Sequence, residues 1–320
     1  MKRANMLITG ISLLLGGLLP AWGESRVIRL GYLQSDIHHL PCWVALEKGF
    51  YKAEGLNVEV VGIFKAGPEE MSAFAAGALD MGYVGEAPAT TAVANKAADV
   101  QVVAQVNTEG SALVVRQDAG VKGISELTGK QVAIPGHSTV QDFLIKRAFA
   151  KAQIPVENAK VIVIKPPEMI PALRDKQIDA FIAWEPFPAK ALTSGAGRIL
   201  VPSGQIWQEH PCCVLVVDSR FLKSRGEDVV RFVRGHVKAV DFIESHFEDA
   251  LKIGVKYTGM DEETVSIAMK NVKHTYRISV EGEKEYIDFL NRLGYVKVND
   301  PNAFVQGFLN QGILSEILPK

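Results

Sequence analysis

Two short segments combine residue types that could hold a small ligand. Gln131-Val-Ala-Ile reads as a strand stopped by Pro135-Gly136, after which His137, Ser138 and Thr139 open a helical pattern running to about Ala152. A Ser or Thr at a helix start accepts a bond from a free backbone N–H. The remaining N–H groups and the helix dipole make such an end a site for an anion. Some forty residues on, Ala180-Phe-Ile-Ala reads as a second strand, finishing on Trp184-Glu185-Pro186. Ligands of open α/β sheets sit at the carboxyl ends of strands, so both segments aim polar or aromatic groups at one place. Leu79 to Val84 is a further strand, ending at Gly85-Glu86-Ala87-Pro88. Glu86 complicates an anion site: a carboxylate there repels an anion by about 1 kcal/mol at 4 Å even in bulk water. It suits an ammonium, an aminopyrimidine or a metal, or it merely favours the helix dipole and solvent. Lys65-Ala66-Gly67-Pro68 precedes another short helix whose N–H groups face the same way.

His38 or His39, Cys42, Glu86, His137, His210 and Cys212 are the right types for zinc or copper. None has the short CxxC or HxxxH spacing that would select a metal, so separate polar residues are expected and no metal or cofactor. The cysteines, Cys42, Cys212 and Cys213, are too few for a disulfide framework; a bridge from Cys42 to Cys212 or Cys213 stays open beside buried free thiols. His236, His246 and His274 fall in charge-rich segments and read as surface residues on helices.

The elements that position these residues alternate. Strands are expected at 27–33, 57–61, 79–84, 100–107, 111–116, 131–134, 160–164, 180–183 and 199–202, most followed by a helix. That alternation predicts parallel sheets with helices on both faces. Beyond Ser219 the chain reads as mainly helical. Lys2 and Arg3 before an apolar run, with an Ala-Trp-Gly exit, read as a cleaved secretory signal over 1–23. The apolar run is short for the ~20 residues of a membrane span, and no cysteine stands at the exit for lipid attachment. The chain has 35 basic and 36 acidic residues; without Lys2 and Arg3 the balance is 33 to 36, a net charge of −3. No basic stripe is present, which argues against nucleic acid as a partner. About 297 residues after the signal suit two lobes better than one domain.

Leu127-Thr-Gly-Lys-Gln-Val-Ala-Ile-Pro-Gly-His-Ser-Thr, Pro167-Glu-Met-Ile-Pro-Ala-Leu and Ile178-Asp-Ala-Phe-Ile-Ala-Trp-Glu-Pro resemble the second lobe of ABC-transporter substrate-binding proteins of the nitrate/sulfonate/taurine type. That family also contains binders of thiamine-pyrimidine precursors. Val44-Ala-Leu-Glu-Lys-Gly-Phe-Tyr-Lys-Ala-Glu-Gly-Leu-Asn and Ala75-Ala-Gly-Ala-Leu-Asp-Met-Gly-Tyr-Val-Gly-Glu-Ala-Pro are similar to its first lobe. The resemblance implies a two-lobed periplasmic-binding-protein type II fold, each lobe a mostly parallel sheet flanked by helices. Lobe one would comprise 24–110 plus 218–320 and lobe two 111–217, with crossings near 108–112 and 213–218. It implies a periplasmic monomer, not an enzyme, that closes over a small ligand and delivers it to an inner-membrane permease. The ligand expected first is a sulfonate, taurine or nitrate-like oxyanion. The alternatives are an aminopyrimidine, or a metal or chelate held by Glu86 with the His and Cys residues, and last a pyrimidine-forming enzyme. By resemblance the loop after the first strand lines the cleft, making Asp36, His38, His39 and Cys42 candidates. Gly67, Ser138 and Thr139 would receive an acidic group, and Trp184 with Glu185 would stack or flank a planar part. Glu86 and Asn107 would meet a donor, and His137, His210 and Cys212 would form the rim and hinge side.

Overall fold

The computed structural model describes residues 27–318; the expected signal segment lies outside them. The strands are β1 (Ile28–Leu33), β2 (Val58–Phe64), β3 (Met81–Gly85), β4 (Val100–Glu109), β5 (Ser111–Arg116), β6 (Gln131–Ile134), β7 (Lys160–Val163), β8 (Ala180–Trp184), β9 (Gly197–Pro202), β10 (Pro211–Asp218) and β11 (Val272–His274). They form two sheets, ordered β11-β4-β10-β3-β1-β2 and β7-β6-β8-β5-β9, one in each lobe of a two-lobed α/β fold. The consecutive strand–helix–strand units pair in parallel, β1 with β2 and β3, and β6 with β7 and β8. The sheets are nonetheless mixed. β10 lies antiparallel to β3 and β4, and β5 antiparallel to β8 and β9. The antiparallel members are largely the strands that carry the chain between lobes, which enter each sheet from its neighbour rather than by a helical crossover.

The forward crossing is one residue wide. β4 ends at Glu109 and β5 begins at Ser111; Gly110 between them has φ +79°, a conformation costly for any residue with a Cβ. On the return, β10 already pairs with β4 from Pro211, earlier than the 213–218 region suggested by the sequence.

Helix starts follow the capping residues in the sequence. Thr139 caps the Val140–Lys151 helix, Asp218, Asp261, Ser279 and Asp300 cap later ones, and each side-chain oxygen accepts a first-turn N–H. The long amphipathic Gly226–Ser245 helix turns Val229, Phe232, Val233, Val237 and Val240 into the core. That core continues through Tyr51 stacked on Phe232 and Trp43 stacked on Tyr257, so the C-terminal helices pack against the first lobe.

Two surface assignments fail here. His236 is fully buried: Nδ1 meets the Tyr83 hydroxyl at 3.1 Å and Nε2 meets the Gln105 carbonyl at 2.9 Å. It lies on the apolar stripe of its helix, and the charged residues around it in sequence belong to the opposite face. His274 ends strand β11, pairing with Asn107, because the three residues Val272–His274 add an edge strand to β4. His246 is exposed as expected.

The lobes are drawn together. Lys165 of the second pairs with Glu69 of the first at 2.6 Å, and Tyr295 donates to Asp142 at 2.9 Å. Lys190 and Asp261 pair at 2.6 Å beside the hydroxyl contact of Thr193 with Thr264.

Candidate functional site

Between the lobes lies a cavity of about 10 Å³, room for about one water molecule. It has two chemically distinct walls. On one, three helix N-termini converge: Gly67 opens the Gly67–Ala75 helix, Gly85 and Pro88 flank the start of Glu86–Ala94, and Thr139, Val140 and Gln141 begin Val140–Lys151. First-turn N–H groups have no carbonyl partner in their own helix, so this wall presents backbone donors and the positive ends of three dipoles. The other wall carries Asp36, Cys212 and Cys213, and Leu33 and Trp184 close the cavity between them. The Trp184 indole N–H is buried without a hydrogen-bond partner, an orphan donor at the cavity edge.

The side chains expected to bind an anion are partly committed elsewhere. Thr139 Oγ1 donates to the Gly136 carbonyl at 2.8 Å and accepts the Asp142 N–H at 3.2 Å. The Ser138 N–H is taken by Asp142 Oδ2 at 2.9 Å. This reciprocal cap leaves the cavity-facing role on this helix to backbone at Val140 and Gln141. Ser138, at φ 60°, and the exposed His137 instead line a neighbouring hollow of about 300 Å³ beside Met71 and Thr91.

Glu86 is fully buried rather than solvated. Its Oε2 accepts from Gln105 Nε2 at 3.0 Å, and it is not among the cavity-lining residues. Burial pushes its carboxyl up to about 7 against the hydrogen bond from Gln105. Glu283 beside it is pushed well above the usual range by burial and by Glu86, and it accepts from Thr90 Oγ1 at 2.8 Å. Glu185 is buried too: Oε2 accepts the Ala189 N–H at 3.0 Å and Oε1 accepts from Asn271 at 2.8 Å. Asn107 bonds the crossing strands, donating to the Glu109 carbonyl at 3.1 Å and accepting the Cys213 N–H at 3.2 Å. His210 is buried against Trp207, with Nδ1 3.2 Å from the Pro211 carbonyl.

Of the adjacent histidines, neither is exposed. His39 Nδ1 accepts the Leu33 N–H at 3.1 Å, so its proton is on Nε2. His38 Nε2 lies 2.7 Å from the Gly110 carbonyl, an acceptor, which fixes a proton on Nε2 and turns Nδ1 toward Cys212 and Cys213, each sulfur 3.6 Å away. Asp36 Oδ1 is 3.4 Å from the same nitrogen. Burial alone would lower the His38 pKa, but Asp36 and the Cys212 sulfur hold it up at about 9. Burial likewise opposes ionisation of Cys212, yet the bond from Cys213 and the charge of His38 keep its thiol well below the usual range. Burial pushes Cys213 up, and Asp36 up to about 7. All three cysteines are free. Cys42 is buried in the Leu40–Glu47 helix, outside the cavity lining.

Sequence reasoning missed Cys213, Gly110 and Glu283. In a regular strand Cys213 would face away from Cys212, and only the break in β10 register puts both beside His38. Gly110 carried a weak signal as the glycine between two apolar runs.

Residues 22–253 match the NMT1-like family. A Bacillus subtilis (strain 168) protein whose name assigns it to aliphatic sulfonate binding is 27% identical over 307 residues, covering 90% of each chain. A Brucella abortus (strain 2308) protein named only as a binding protein is 27% identical over 277 residues, 85% of this chain and 84% of that one. The fold is similar to that of the periplasmic nitrate-binding protein NrtA from Synechocystis PCC 6803, with a TM-score of 0.82 and 17% identity, covering 92% of this chain and 88% of that chain. No helix among the described residues is long and apolar enough to cross a membrane. The chain belongs to the NMT1-like family.

Proposed function

We propose that this protein is an exported, monomeric solute-binding protein that captures a small oxyanion of the sulfonate or nitrate type between its lobes and delivers it to an ABC permease. The observation that carries the ligand class is the convergence of three helix N-termini on the cavity beside the orphan Trp184 N–H. Backbone N–H groups at Gly67, Val140 and Gln141 would receive the oxygens, with Thr139 holding its helix start in place. Trp184 would cover the ligand's apolar or planar part and donate from its indole. Asn107, Glu185 and His210 act on the frame rather than on the ligand, and His137 stands at the outer rim. The relatives named for sulfonate and nitrate binding support the same class.

Lobe one would run to Gly110 and resume near Pro211, so that Gly110 and the start of β10 form the hinge. A cavity with room for one water requires the lobes to part before a sulfonate enters. Ligand contact with both lobes then favours closure, with the Lys165–Glu69 pair re-forming across the cleft.

The test is a thermal-shift screen with alkanesulfonates, taurine and nitrate in the presence of a chelator. A ligand at a hundred times its dissociation constant adds about 2.7 kcal/mol of stability, which a melt resolves. A rise in Tm with any of these oxyanions, absent with the matching amine or alcohol, supports oxyanion capture. No rise with any of them, for a protein that melts cooperatively, ends it.

A further inference from the structure

The hinge wall of the cavity holds a donor set that oxyanion capture does not use. We propose that His38 Nδ1, Cys212 Sγ and Cys213 Sγ form a three-donor site for a thiophilic divalent cation of the Zn²⁺ class, with the fourth tetrahedral position open toward the cavity on the side of Asp36.

The distances from His38 Nδ1 are those such a site requires. Zn–N and Zn–S bonds of about 2.0 and 2.3 Å at tetrahedral angles set an N···S edge of about 3.5 Å, and an N···O edge of about 3.4 Å. The two sulfurs lie 3.6 Å from His38 Nδ1 and Asp36 Oδ1 lies 3.4 Å from it. The three N and S donors all fall within 4.8 Å of one another. Neighbouring residues of a regular strand point to opposite faces. Here β10 shifts register against β4 between Pro211 and Cys213 and again between Cys213 and Val214, and the irregularity gathers both sulfurs at one nitrogen.

The surroundings are those of a ligand histidine. Metal-bound imidazoles donate their other N–H to a carbonyl or carboxylate, which fixes the tautomer. The Gly110 carbonyl, 2.7 Å from His38 Nε2, occupies that place. A second buried imidazole, His39, brings an Nε2 without a hydrogen-bond partner to 3.8 Å from Asp36 Oδ2. Two thiol sulfurs and an imidazole suit Zn²⁺ better than Mg²⁺ or Ca²⁺, which take oxygen ligands. Asp36, Cys212 and Cys213 also line the cavity, so the site opens to solvent when the lobes part. The donors of the cation site are separate from the helix N-termini that would receive an oxyanion, so each site can be tested without the other.

The experiment titrates the reduced, metal-free protein with Zn²⁺ against a chromophoric chelator, then repeats the titration with Co²⁺ as a spectroscopic stand-in. The expected result is one equivalent bound, with the intense d–d bands of tetrahedral Co²⁺ and a thiolate-to-metal charge-transfer band. C212S and C213S should each weaken Zn²⁺ binding by about 100-fold or more, beyond the usual cost of losing an outer-shell partner, while C42S leaves it unchanged. Binding no tighter than in the C212S/C213S double variant, or a Co²⁺ spectrum without the thiolate band, overturns the site. The Co²⁺ spectrum is read on the unaltered protein, so it decides the matter even where a cysteine variant fails to fold. The oxyanion screen runs in chelator without metal, so either site can fail alone.

Discussion

On one side of the cavity the polar groups are backbone, supplied by the first turns of three helices; on the other they are side chains, supplied by a loop and the returning strand at the hinge. The backbone wall tolerates many sequences, because any helix start presents N–H groups. The hinge wall depends on residue identity and on register, since one regular step in β10 would carry Cys212 or Cys213 to the other face. The first wall therefore suits a general receptor for oxygens and the second a specific arrangement of donors. The two should respond differently to substitution, and Gly110 is the sharpest place to look.

Gly110→Ala should give the largest effect. The residue sits at φ +79°, and a Cβ there would fall 2.4 Å from His38 Nε2 and 2.8 Å from a Val272 methyl. Backbone strain, the clash and loss of the His38 bond together should cost about 3 kcal/mol or more. The measurement is the denaturant midpoint of the purified variant. A loss below about 1 kcal/mol would show that the hinge wall yields easily, and the contrast between the two walls would collapse.

Behind the backbone wall, at the head of the Glu86–Ala94 helix, the buried Glu86–Glu283 pair predicts a pH effect of intermediate size. Both carboxyls titrate above their ordinary value, Glu86 at about 7 against 4.5. A raised carboxyl pKa means the folded state holds a proton the unfolded chain releases. Its stability contribution is full below pH 4.5 and is lost as pH rises through 7. Glu283→Gln keeps an acceptor for Thr90 and removes one ionisable group. It should leave stability unchanged near pH 4 and raise it by about 2 kcal/mol at pH 8. Chemical denaturation across that range checks the sign; a variant less stable than the parent at pH 8 would mean Glu283 is ionised and held by partners.

What the sequence revealed divides along the same line. The strand–turn–helix at 131–151 and the capping role of Thr139 were legible because caps are local, written within four residues of the helix they start. The alternation behind the two-sheet α/β fold is equally local. The mixed strand directions, the burial of His236 and the meeting of His38 with two adjacent cysteines were not. The two histidine placements depend on contacts made across 131 to 175 positions of chain. The burial of Glu86 was hidden for the same reason: Glu283, the carboxyl beside it, lies on a helix near the other end of the chain.

Thr139→Ala should give the smallest effect on stability and the cleanest separation of the walls. Thr139 Oγ1 accepts the Asp142 N–H and donates to Gly136, so its loss removes one cap and loosens the loop before it. The cost is about 1 kcal/mol, read as a drop of a few degrees in Tm. The same substitution touches the start of the helix whose N–H groups at Val140 and Gln141 line the cavity. Oxyanion affinity should therefore fall more than stability alone would require, while Zn²⁺ affinity, set at His38, Cys212 and Cys213, should not change. If both affinities fall together, the two walls are one cooperative site, and closure of the lobes rather than either set of donors decides what is held.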